Sequence, residues 1–154
     1  MPTHAEKRHL PYTPEQMFGL VADVERYPEF LPWCAAARIR RRVGDVFFAD
    51  LTIGFKGVRE RYTSKVTLDP AGHRIDVVYT DGPFHYLNNH WLFEPASDGG
   101  TVIDFFVDFE FRSRILQALI GRLFNEATRL MVHAFEKRAR QCFGVDGRMA
   151  PRTT

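Results

Sequence analysis

From Ala35 to Phe111 apolar residues recur at every second position, and from Ser113 to about Phe143 they recur at three- and four-residue spacing. The first pattern gives strands one dry face and one wet face. The second gives a helix with one apolar stripe. Phe47, Ala49, Leu51, Ile53 and Phe55 form one alternating run, and Val58, Glu60, Tyr62, Ser64, Val66 and Leu68 the next. Ile75, Val77 and Tyr79 follow, then Leu87, Asn89, Trp91 and Phe93, then Ile103, Phe105, Val107, Phe109 and Phe111. Gly44-Asp45, Gly57, Pro70-Ala71-Gly72, Asp81-Gly82-Pro83 and Asp98-Gly99-Gly100 separate them, as an antiparallel meander requires. The helical stripe runs from Leu116 to Phe135 over an arc of roughly 160°, wider than a coiled-coil seam. At 1.5 Å per residue this helix is about 45 Å long, enough to cross a whole curved sheet. Gly121 inside it predicts close packing or a slight bend. A sheet with one dry face needs a cover, and a helix with a wide stripe needs a floor. The expected architecture is therefore α+β, a curved antiparallel sheet wrapped around the long C-terminal helix.

Upstream, His4 to Leu10 reads as a short strand. Thr13, Pro14 and Gln16 read as N-cap, first helical residue and capping-box partner of a helix carrying Met17, Leu20, Val21 and Val24. Pro28 and Pro32 limit Glu25 to Leu31 to a short helical turn. The 154 residues fit one domain, 1–154, with an ordered core of about 3–144. A net charge of +2 implies no general attraction to nucleic acid. The 14 Phe residues exceed what a small core needs and suggest a cavity lining or a greasy contact surface. Cys34 and Cys142 form no CxxC pair, so a disulfide framework is not expected. Neither a secretory leader nor a membrane-spanning run is expected.

Common nucleotide, hydrolase and zincin motifs do not occur in the sequence. No metal site is expected, because the six histidines lack ligand spacing and Asp104, Asp108 and Glu110 read as a wet strand face. The polar residues Glu60, Tyr62, Ser64, Tyr79 and Asn89 share the dry parity with Val, Leu, Phe and Trp. A buried polar group left unsatisfied costs about 1–3 kcal/mol. Either these residues pair with one another or with backbone freed at a bulge, or they line a cavity and bind a ligand's polar head; parity leaves both open. The basic residues Arg38, Arg40, Arg41 and Arg42 cluster, and Arg122, Arg129 and Arg140 lie on the helix face opposite the stripe. A solvated face with paired charges, an anionic membrane surface and RNA phosphate all fit them.

The segment Asp23-Val24-Glu25-Arg26-Tyr27-Pro28-Glu29-Phe30-Leu31-Pro32-Trp33-Cys34 resembles the DVxxYPxFxPWC signature of the coenzyme Q-binding START-domain family, within the polyketide cyclase-like superfamily. Leu51 to Phe55, Glu60 to Ser64, Leu87 to Phe93 and Phe109 to Ser113 are similar too, as are Met131, Ala134-Phe135 and Arg138. The family includes ubiquinone-binding respiratory proteins and a bacterial ribosome-association toxin. The resemblance implies a helix-grip fold (START/Bet v 1-like) with a hydrophobic cavity. It implies non-catalytic binding of ubiquinone or a related polyprenyl lipid, as a quinone chaperone or carrier supporting respiratory electron transport. No covalent cofactor is expected, only ubiquinone as bound ligand, and polyketide cyclase-like catalysis is the lesser expectation.

On that resemblance Phe55, Trp91, Phe105, Phe109, Leu119 and Leu123 would wall the cavity. Glu60, Tyr62 and Asn89 would bind the head group, and Tyr27, Phe30 and Trp33 would form the mouth. A long tail cannot fit inside a domain this small, so contact with the membrane edge or a homodimer is expected. The expected location is the bacterial cytoplasm, peripheral on the inner membrane. The alternative is toxin-like binding of the large ribosomal subunit, blocking subunit joining, through the basic residues Arg38 to Arg42 and the helix arginines.

Overall fold

A computed structural model describes residues 3–31, 33–55 and 57–144, except for the side chains of Phe55, Val58, Arg122, Leu123 and Asn125. The chain runs β1 (Thr3–Leu10), α1 (Pro14–Ala22), a 3-10 helix (Val24–Glu29), then β2 (Cys34–Val43), β3 (Val46–Phe55) and β4 (Val58–Asp69). It continues through β5 (Arg74–Asp81), β6 (Phe84–Pro95) and β7 (Thr101–Phe111) to α2 (Arg114–Phe143). The strands form one sheet in the order β1-β7-β6-β5-β4-β3-β2, every neighbour antiparallel. β1 and β2 are successive in the chain yet occupy opposite edges, so α1 and the 3-10 helix span the distance between them. The sheet curves around α2, the expected helix-grip arrangement.

Local chemistry sets the helix starts. Thr13 accepts from the Gln16 backbone N–H while the Gln16 side chain accepts from Thr13 N–H, a complete capping box ahead of Pro14. Ser113 caps α2 by accepting from Leu116 N–H at 3.2 Å. Gly44, Gly57, Gly82 and Gly99 all turn at positive φ. Gly82 also faces a tight approach: a Cβ there would lie 2.6 Å from Tyr62 Cβ.

Two features depart from the periodicity. The Arg38–Arg42 cluster belongs to β2, an edge strand, where charged side chains discourage pairing with another sheet. Gly121 faces open space, so close packing does not explain it.

The buried residues form two clusters. The larger joins Met17 and Val21 of α1, Trp91, Phe93 and Phe105 of the sheet, and Phe135 and Ala139 of α2. The smaller centres on Phe84, Phe109 and Phe111, with Leu116, Ile120 and Phe124 packed against it. Fully burying one such side chain contributes about 1.5–3 kcal/mol. Cys34 and Cys142 are free.

Candidate functional site

Between the two clusters lies a half-open cavity of about 220 Å³. Its sheet wall carries Leu51 and Ile53 of β3, Tyr62, Ser64 and Val66 of β4, Ile75 and Val77 of β5, and the inward aromatics of β6 and β7. Its helix wall is the α2 stripe Ile120, Phe124, Ala127, Thr128, Met131 and Phe135. Val21, Val24, Tyr27 and Trp33 close one side. Among the described residues no charged side chain lines it.

Phe84 anchors one end. Its ring stacks on Phe111 at 4.7 Å and meets Tyr62, Tyr79 and Phe109 edge-on at 5.2, 5.4 and 5.8 Å. Strict alternation would point Phe84 outward, opposite to Leu87 and Asn89. A bulge between Phe84 and Tyr86 reverses the parity and turns it in. At the other end Trp91 packs on Phe105 at 4.6 Å and on Phe135 at 5.3 Å.

The polar groups of the lining divide into satisfied and unsatisfied. The Asn89 amide donates to the Phe106 carbonyl at 2.8 Å, and its oxygen accepts from the Trp91 indole N–H at 3.2 Å. Thr128 donates to the Phe124 carbonyl one turn back at 2.8 Å and so presents its methyl group. The Tyr27 hydroxyl donates to the Val21 carbonyl. Tyr62 and Ser64 have no hydrogen-bond partner among the described residues. Burial pushes both the Tyr27 and Tyr62 phenols above their usual range, so they stay neutral.

Of the expected wall and head-group residues, Trp91, Phe105, Phe109, Tyr62 and Asn89 do line the cavity, with Tyr27 and Trp33 from the expected mouth. Three others do not. Glu60 shares the parity of Tyr62 but sits two residues nearer the β3–β4 turn, past the last lining residue of that strand. Leu119 lies one residue, about 100° of helix, off the line of Ile120 and Phe124. Phe30 packs on Phe135 at 5.2 Å beneath the Arg138 guanidinium at 5.1 Å, partly buried against the larger core rather than lining the cavity. The side chains of Phe55, Leu123 and Arg122 lie outside the described part. The sequence reading passed over Phe84 and Thr128.

The expected basic surface is only partly free. Arg40 pairs with Asp50 at 3.5 Å, a carboxylate that Arg61 also reaches at 3.3 Å. Arg41 and Arg42 lie over the Phe48 and Phe47 rings at 5.1 and 4.6 Å. Arg38, Arg129 and Arg140 are exposed and have no carboxylate partner among the described residues. No group of three His, Cys, Asp or Glu among the described residues could hold a metal ion.

A family model described as "Polyketide cyclase / dehydrase and lipid transport" matches residues 10–136. The chain belongs to this family. The ribosome association toxin RatA of Rickettsia prowazekii is 47% identical over 135 residues, covering 86% of this chain and 92% of that protein. The mitochondrial coenzyme Q-binding protein COQ10 homolog B of Xenopus laevis is 37% identical over 145 residues, covering 92% of this chain and 59% of its own length. The solution structure of the 18 kDa protein CC1736 from Caulobacter crescentus is 38% identical, with a TM-score of 0.77 over 94% of this chain and 100% of that one. The Streptomyces aromatase/cyclase ZhuI has a TM-score of 0.81 over 91% of this chain and 94% of its own, at 15% identity, a likeness of fold alone. The description of the family itself names cyclases alongside lipid transport.

Proposed function

We propose that the chain binds ubiquinone or a related polyprenyl lipid in this cavity without transforming it, serving as a chaperone or carrier for respiratory electron transport. The observation that carries the reading is the aromatic-walled cavity between sheet and α2, charge-free among the described residues. Such a cavity takes apolar surface out of water at about 25 cal/mol per Å². It offers no stabilisation for a buried charge. A general acid–base reaction needs a titratable group near neutral pH. The lining instead supplies phenols held above their usual range. This supports binding over cyclase-like catalysis.

The volume of about 220 Å³ falls below the roughly 300–1,000 Å³ of pockets for drug-sized ligands. It suits a ring and the first part of a tail. The rest of a polyprenyl chain would emerge through the open side, toward a membrane edge or a second copy of the chain. No helix among the described residues is long and apolar enough to cross a membrane. The proposed location is the bacterial cytoplasm with peripheral contact to the inner membrane.

The test is to express the protein in a quinone-producing host, extract it with solvent and analyse the lipid by mass spectrometry. Stoichiometric quinone is expected. An empty protein that also fails to bind a short-tailed quinone saturably overturns the reading.

A second reading rests on the exposed Arg38, Arg129 and Arg140 and on the toxin named among the relatives. Free guanidinium groups suit RNA phosphate. In this reading the chain binds the large ribosomal subunit. Co-sedimentation with ribosomes that disappears in an Arg38→Glu, Arg129→Glu, Arg140→Glu variant would support it, and absence of co-sedimentation at low salt would exclude it.

A further inference from the structure

Tyr62 and Ser64 stand at alternate positions of β4, so both side chains leave the same face of the sheet, about 7 Å apart along the strand. Both line the cavity, and neither hydroxyl has a hydrogen-bond partner among the described residues. Ser64 is only 1% exposed. Asn89, Thr128, Tyr27 and Trp91 are already engaged within the protein, and the remaining hydrogen-bonding side chain of the lining, Trp33, belongs to the side closed by Val21, Val24 and Tyr27 rather than to the sheet wall. The two free hydroxyls therefore stand out on a sheet wall that otherwise satisfies itself.

The backbone around them is specialised. The β4–β5 register shifts between Thr63 and Ser64, where Thr63 faces Asp81 and Ser64 faces Tyr79. Thr80, the extra residue, donates its hydroxyl to the Thr63 carbonyl at 3.1 Å. Gly82 follows at φ +144 against Tyr62 Cβ, a position that L side chains rarely adopt. The Tyr79 hydroxyl, on the same strand face, donates to the Gly82 carbonyl at 2.6 Å. The bulge thus absorbs the nearby polar groups and leaves Tyr62 and Ser64 free.

We infer that Tyr62 and Ser64 form the head-group anchor of the cavity and select neutral ligands that carry hydrogen-bond acceptors, carbonyl or ether oxygens, at the β4 wall. This deepens the lipid-binding reading and rests on it. Burial holds the Tyr62 phenol protonated, so it is a donor at any ordinary pH. A serine hydroxyl donates as readily. A carboxylate or phosphate head would arrive in the cavity with no cation among the described lining residues to pair with, which is costly. A pure hydrocarbon would leave both buried hydroxyls unsatisfied. A quinone ring satisfies both conditions, because it is uncharged and offers only acceptors.

The experiment compares two probes with the same tail, 6-decyl-2,3-dimethoxy-5-methyl-1,4-benzoquinone and decylbenzene, by displacement of an environment-sensitive dye. It uses the full chain, Tyr62→Phe, Ser64→Ala and the double variant. Tyr62→Phe keeps the ring that packs on Phe84, and decylbenzene binding reports whether the cavity survives. The parent protein should prefer the quinone, and the double variant should lose about tenfold in quinone affinity while its affinity for decylbenzene stays within about twofold. If the parent binds neither probe, the lipid-binding reading fails and the anchor with it. If it binds both equally, or if the double variant keeps the preference or weakens both probes alike, the lipid-binding reading stands and the anchor is overturned.

Discussion

In the C-terminal half of α2, Phe135 is 5% exposed and Ala139 0%, whereas in the N-terminal half Ile120 and Phe124 stay half-buried over the cavity and Ile115 is 82% exposed. The two halves carry the same three- and four-residue apolar spacing. What differs is the surface opposite. The C-terminal half meets Tyr27, Phe30 and Trp91, whose rings lie 5.2–5.6 Å from Phe135. Ion pairs hold it as well, Arg138 to Glu29 at 2.6 Å and Arg8 to Glu136 at 2.5 Å. At its end the Tyr12 hydroxyl donates to the Gly144 carbonyl. The N-terminal half is pinned near its start, by the Ser113 cap and by Gln117 accepting from Phe111 N–H at 2.7 Å, and then passes over open space. The N-terminal half roofs the cavity; the C-terminal half carries Met131 and Phe135 along its rim and then closes the core at Ala139. An apolar stripe states which side of a helix turns inward, but not whether anything fills the space it meets.

The largest test of that contrast removes one ring from each half. Phe135→Ala should cost about 3–5 kcal/mol in urea unfolding, because tightly packed rings surround the hole it leaves. Phe124→Ala should cost no more than about half as much, since both rings border the cavity but Phe124 is only half-buried while Phe135 is 5% exposed. Equal losses would break the distinction between the halves.

A smaller effect comes from adding volume instead. Ala139→Leu forces a larger side chain into a filled site and should destabilise by about 1–3 kcal/mol. Ala127→Leu points into the cavity and should leave stability within about 0.5 kcal/mol of the parent while abolishing binding of the decyl-quinone. The two unfolding midpoints and one displacement titration check this. An Ala127→Leu protein that binds the quinone normally would show that the ligand sits elsewhere.

These experiments probe what the sequence made visible only in part. Alternation located the inward faces of β3 to β7, and the Thr13 capping box and the change of period at Ser113 marked both helix starts, because those signals are local. Parity also singled out Tyr62, Ser64 and Asn89. It could not say that Asn89 is consumed by the Phe106 carbonyl of the next strand and the Trp91 indole two residues on while Ser64 is not, since alternation assigns a face but neither a rotamer nor a partner. Phe84 escaped because a single bulge reversed its parity. Glu60 and Leu119 illustrate the same limit in another way. The pattern assigns each a face or an arc, but the edge of a cavity is set by three-dimensional curvature that periodicity does not encode. The family signature contributed the expectation of a cavity, which burial arguments alone left undecided.

The smallest predicted effect concerns Cys34, buried where β2 meets the filled core. Burial pushes its thiol up to about 11 from a usual value of 9.0. The thiol is neutral when protonated, so above pH 9 the unfolded chain gives up this proton while the folded chain keeps it. Stability from this group is complete below pH 9 and is lost as pH rises toward 11. The buried phenols Tyr27 and Tyr62 add a loss of the same sign, but only above their usual value of 10.0. The interval between pH 9 and 10 therefore isolates the thiol, with a loss on the order of 1 kcal/mol at most. Cys34→Ala will shift stability at every pH by altering packing, so the readout is the slope. Urea midpoints measured from pH 8 to 10 should fall less steeply in Cys34→Ala than in the parent. Parallel slopes would mean that water reaches the thiol, and the core at the start of β2 would then be as open as the region beneath Phe124.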